Sequence, residues 1–275
     1  MFRLAILLFL IPVPAFSSPL RAVATLAPLH AVVSAVADGV FTPELLLDPS
    51  VSVHDYAPKP SDVAKIDSAD AVFWGGKTLE GGLAKTVSSA NGRVFTALKD
   101  GEDPHFWLSP DRIGQTAREI AAFLSAADPD NARTYGKNAD AFIEKTAALK
   151  AFGRRELEPY ADTPFVVFHD AYDGFERDFG LRGKKGEVQA DGHHAAGAGH
   201  LIRLRAAMRE AGTVCLFSEP QMPSDRLSVL TEDLSVVSGT ADPLGTGVPA
   251  GKNFYDGMMK NLIRSFKDCL SKVKR

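Results

Sequence analysis

The chain has 275 residues, 45% hydrophobic and 24% charged, with 31 Lys and Arg against 34 Asp and Glu for a net charge of -3. That balance excludes a broadly basic nucleic-acid surface and describes an ordinary globular protein. Past the first residues, no stretch is long and apolar enough to predict a membrane-spanning helix.

Met1-Phe2-Arg3 carries one positive charge, residues 4–16 are nearly all apolar, and Ser17-Ser18 supply small residues. This pattern predicts a secretory signal peptide over 1–18 and export to the periplasm. Strands are then expected over 21–25, 41–47, 71–74 and 93–97, with helices over 27–38, 60–68 and 111–127. Residues 131–158 hold no proline, only two glycines (Gly136 and Gly153), and an apolar stripe through Ala139, Phe142, Ile143, Thr146 and Leu149. They predict one long connecting helix closed off by Pro159 and Pro164. Strands over 165–168, 214–218 and 235–238 then alternate with helices over 172–179, 200–211, 224–233 and 254–270. Such alternation implies parallel sheets with helices outside. The fold class is α/β: two lobes, each a mainly parallel sheet flanked by helices, joined by one long helix. The lobes are expected over 19–130 and 160–275, with the connecting helix over 131–159.

Three histidines lie far apart in turn-rich settings: His54 in SVHDYAPKPSD, His105 in EDPHFWLSP and His169 in VVFHDAYDGFE. Asp242 occupies a fourth, SGTADPLG. All four follow predicted strands, where open parallel sheets bind their ligands. A cleft between the lobes would gather three imidazoles and a carboxylate, a set suited to a single zinc ion. His30, on a predicted helix with no ligand motif around it, reads as structural. Gly76-Lys77-Thr78 resembles the end of a phosphate-binding loop, but that motif needs glycine where Ala71 stands. Cys215 and Cys269 form an even pair in an exported chain and lack C-x-x-C spacing, which favours a disulfide over thiolate metal ligands.

In order, HDYAPKPSD, DPHFWLSP, FHDAYDGFE, SEPQ and ADPLGT closely resemble the zinc-specific solute-binding proteins of bacterial ABC transporters, over about residues 24–270. The resemblance implies two α/β lobes on a long helix, His54, His105, His169 and Asp242 as metal ligands, and a Cys215–Cys269 disulfide. It implies zinc as the transported ligand, an ABC-transporter membrane permease as partner, and no enzymatic activity. Manganese-type relatives carry glutamate where His169 stands, so the imidazole moves the site toward zinc. Asp170 and Glu219 are candidate acceptors for imidazole N–H groups.

The chain departs from that pattern at two places. Val53 stands where some zinc members have an acidic residue, and only residues 99–104 fill the space of a long His-rich loop. His193, His194 and His200 are candidates for auxiliary metal capture, against the reading as a polar loop. A periplasmic metallochaperone is the alternative route of loading. The expected state is a monomer, with no nucleic-acid partner. The competing functions are a secreted zinc-dependent hydrolase, a metal-binding adhesin, and a manganese-binding relative.

Overall fold

The computed structural model describes residues 20–189, 197–222, 227 and 230–273. The expected signal peptide, His193 and His194, and most of the helix expected over 224–233 lie outside the described residues.

Short runs form the strands, and the central ones of each sheet are apolar and buried. In the first half these are β1 (Ala22–Ala24), β2 (Glu44–Leu45), β3 (Ala71–Trp74) and β4 (Arg93–Thr96). The second half has β5 (Phe165–His169), β6 (Lys184–Gln189), β7 (Val214–Ser218) and β8 (Val236–Thr240). Every pairing is parallel, and the two sheets share one winding order, β2-β1-β3-β4 and β6-β5-β7-β8. The chain therefore reverses its direction of winding between β1 and β3 in one sheet and between β5 and β7 in the other. Such a switch point leaves a crevice beyond the strand ends.

The helices are α1 (Ala27–Val36), α2 (Pro60–Ser68), α3 (Ala84–Ser88) and α4 (Pro110–Ala127) before the midpoint. After them come α5 (Ala132–Leu157), α6 (Asp173–Phe179), α7 (Ala198–Ala211) and α8 (Phe254–Val273). Proline opens α2 and α4, where its missing N–H costs nothing. Ser109 caps α4 by accepting from the Arg112 N–H at 3.1 Å.

The long helix α5 is a core element as much as a connector. Its buried residues Tyr135, Ala139, Phe142, Thr146, Leu149, Gly153 and Leu157 recur at three- and four-residue spacing. One apolar core runs through both halves, from Val23 and Phe73 by way of Trp107 and Phe142 to Phe165, Tyr255 and Phe266. A smaller cluster of Val166, Val188, Leu204, Met208, Val214, Leu216 and Leu230 lies in the second half. Gly153 admits α6 and α8, since a Cβ there would lie 2.3 Å from the Phe179 ring and 2.8 Å from Ile263. Cys215 on β7 is joined to Cys269 on α8, with Cα atoms 5.9 Å apart.

Three elements differ from the sequence expectation, among them the short helix α3, which no expected helix covers. The second strand shrinks from 41–47 to Glu44–Leu45. Strand β6 was not anticipated, because KKGEVQ is charged and its Gly186 adopts φ 142°. It lies at the sheet edge, where exposed polar residues are tolerated and a register shift occurs against β5.

Candidate metal centre

His169 is the last residue of β5, and Glu219 directly follows β7, so both stand at the switch point of the second sheet. The His169 Nδ1–H donates to Glu219 Oε1 at 2.8 Å, with both side chains almost fully buried. With its proton on Nδ1, the ring presents the Nε2 lone pair to the cleft. His105 opens the single turn Phe106–Leu108 that precedes α4, and its ring packs edge-on to Trp107. Its backbone N–H donates to Asp103 Oδ1 at 2.8 Å, while its Nδ1 lies 3.5 Å from the same oxygen. Burial lowers the His105 pKa below its usual 6.5, against the opposing pull of Asp103, and so favours the neutral ring. His54 comes from the loop over residues 46–59, after β2, and is half-buried.

The three rings converge. His105 Nε2 lies 3.3 Å from His54 Nε2 and 3.2 Å from His169 Nε2. One ligand atom from each of the three histidines falls within 4.8 Å of the others. Two thus come from the first half and one from the second.

Asp242 lies outside that group. Its Oδ1 accepts from the Leu244 and Gly245 N–H groups, both at 3.0 Å, and from Gln221 Nε2 at 2.8 Å. Its Oδ2 accepts from the Thr246 N–H at 2.6 Å. The carboxylate organises the DPLGT turn, a common use of aspartate. Asp170 is likewise turned elsewhere: its Oδ1 accepts from Lys184 Nζ at 2.8 Å, leaving Glu219 as the acceptor beside His169. His200 donates from Nε2 to the Glu187 carbonyl at 2.7 Å, which ties α7 to β6. His30 is buried and donates to the Pro43 carbonyl at 3.0 Å, as a structural histidine does.

The first sheet's switch point is filled by the protein itself. Glu80, 1% exposed, places Oε2 2.5 Å from the Gly75 N–H at the end of β3. Burial pushes its carboxyl up to about 7. The Gly75-Gly76-Lys77-Thr78 turn therefore holds an internal carboxylate where a phosphate-binding loop would hold a phosphate.

Sequence reasoning assigned no role to Gln221 or Tyr172, although both fall inside quoted motifs. Tyr172 donates to the Ala241 carbonyl at 3.2 Å and is buried against the centre, its ring centroid 6.4 Å from that of His169.

The family model described as zinc-uptake complex component A, periplasmic, matches residues 22–269. The chain belongs to this family. Among members of the zinc-uptake component A family, the high-affinity zinc uptake system protein ZnuA of Brucella suis biovar 1 is 32% identical, covering 91% of each chain. The protein of that name from Yersinia pestis is 30% identical over 90% of each. Among solved structures, the periplasmic zinc-binding protein TroA of Treponema pallidum superposes with a TM-score of 0.80 at 20% identity, covering 92% of this chain and 99% of its own. That likeness bears on the fold: two parallel sheets about a long helix.

Proposed function

We propose that this protein captures one zinc ion in the periplasm and delivers it to the membrane permease of an ABC transporter. The spacing of the imidazole nitrogens, 3.3 Å and 3.2 Å, carries the reading. Nitrogens bound at about 2.0–2.1 Å in tetrahedral geometry stand about 3.3 Å apart, so one ion fits among His54, His105 and His169 with little movement. An all-imidazole set favours zinc over manganese, which prefers carboxylate oxygen. Water takes the fourth position, because the Asp242 oxygens are already committed to N–H donors.

Family membership and the zinc-uptake names of the relatives support transport, with zinc as cargo. Glu219 is committed to the back of His169, where it orients the ring as a ligand. The apolar start of the chain supports export, and a monomer is the working state. Loading by a metallochaperone would suit a chain with only residues 99–104 before His105.

The test is metal content after purification without chelator, for wild type and for His54→Ala, His105→Ala and His169→Ala. One zinc per wild-type chain and strong loss in each variant are expected. Full occupancy in all three variants, or no preference for zinc over manganese in equilibrium dialysis, overturns the reading.

A further inference from the structure

The three ligand histidines are not held alike. His105 and His169 are 4% and 2% exposed and sit at the ends of packed elements. His54 rides on residues 46–59, which form neither helix nor strand, and is itself only half-buried. The ligand easiest to withdraw is therefore His54.

Five residues before His54, the Pro49 carbonyl reaches across to the second half of the chain. It accepts from Gln221 Nε2 at 2.9 Å and from Thr246 Oγ1 at 3.3 Å. The same Gln221 nitrogen lies 2.8 Å from Asp242 Oδ1 and 3.0 Å from Thr246 Oγ1. These acceptors settle the orientation of the amide. Reversed, it would set its own oxygen against a carbonyl and a carboxylate. Asp242, fixed by three backbone N–H groups of its turn, anchors the amide from behind. Gln221 itself is two residues past Glu219, on the chain that leaves β7 for the metal centre. Its Oε1 is buried with no hydrogen-bond partner among the described residues, so the side chain is held at a cost that a packing role alone does not explain.

We propose that Gln221 is a positioning residue, latching the His54-bearing loop to the second half and so setting how slowly zinc leaves. The proposal rests on the zinc reading above and deepens it. With the latch made, all three imidazoles are presented together. With the latch broken, the loop swings His54 out and leaves the ion on His105 and His169, from which it dissociates readily. Asp242 and Thr246 act through Gln221 and Pro49, which gives the second half's DPLGT turn a part in metal retention without ligation.

The experiment uses the full purified chain and zinc alone. Zinc release into excess fluorescent chelator is followed by stopped flow for wild type, Gln221→Leu and the milder Thr246→Val, each also in a His54→Ala background, with every protein first loaded in saturating zinc. Gln221→Leu should speed release about tenfold, the equivalent of one interaction near 1.4 kcal/mol. Thr246→Val should speed it less, and neither should change release by more than about twofold once His54 is gone. Hydrogen exchange of residues 48–54 in the metal-free protein should rise in Gln221→Leu, with no corresponding rise in α5. An unchanged release rate, or an equal acceleration with His54 absent, overturns the latch. So does unchanged exchange in the loop, a measurement that needs no zinc. Failure of wild type to take up zinc would instead overturn the metal reading beneath it.

Discussion

Glu219 Oε1 lies 2.8 Å from His169 Nδ1, and its other oxygen is buried with no hydrogen-bond partner among the described residues. A carboxylate so placed fixes the ring's tautomer and raises the basicity of its Nε2 toward a cation on the far side. Glu219→Gln should therefore weaken zinc binding about 10–100-fold. The metal-free protein should melt at about the same temperature, since the amide oxygen still accepts from the His169 N–H. Chelator competition and calorimetry together check this. A parallel loss of apo stability would mark Glu219 as merely structural.

Asp242 supplies acceptors to a turn, and its removal should read as a loss of stability. Asp242→Ala should cost about 1–3 kcal/mol in urea unfolding, from the N–H groups of Leu244, Gly245 and Thr246 left without an acceptor. Zinc stoichiometry should stay at one per chain, and affinity should fall by no more than about tenfold through the loosened latch. Loss of one oxygen scatterer from the zinc X-ray absorption spectrum of Asp242→Ala would restore Asp242 as a ligand.

The two glycines of α5 should respond in opposite senses. At Gly153 an added Cβ meets the Phe179 ring at 2.3 Å, so Gly153→Ala should destabilise by about 2 kcal/mol through overpacking. At Gly136 nothing lies within 4 Å of an added Cβ, and Gly136→Ala should stabilise by about 0.5–1 kcal/mol through helix propensity. Thermal unfolding of both variants checks the pair.

Glu80 makes stability fall as pH rises. Its folded pKa is raised from 4.5 to about 7, so between these values the folded state holds a proton that the unfolded chain has released. The favourable contribution is complete below pH 4.5 and is lost by about pH 7, a change of about 3 kcal/mol. Glu80→Gln cannot titrate there. Its stability relative to wild type should rise by about that amount between pH 5 and pH 8 in denaturant titrations. A flat difference would show that the carboxyl is ionised in the fold across that range.

Most elements were legible because burial leaves a periodic trace. AVFW and FVVF read as strands buried on both faces, and the stripe from Ala139 to Leu149 gave the long helix to within a residue or two. Strand β6 left no such trace, since Lys184, Lys185 and Glu187 are charged residues at a sheet edge and Gly186 breaks the pattern. The Cys215–Cys269 bridge was likewise expected, and it forms.

By itself, the sequence determined the α/β class, the long central helix and the histidines that converge, because residue type and strand-end position are local properties written in order along the chain. Tertiary structure alone decided how neighbouring polar groups divide their work. Asp242 and His200 were chemically eligible for metal and Asp170 for an imidazole N–H, yet each has another partner: a turn, the Glu187 carbonyl and Lys184. Gln221, unremarkable in sequence, gains its place from a carbonyl 172 residues away. A hydrogen bond depends on distances of a few tenths of an ångström between groups remote in the chain, and no local pattern records them.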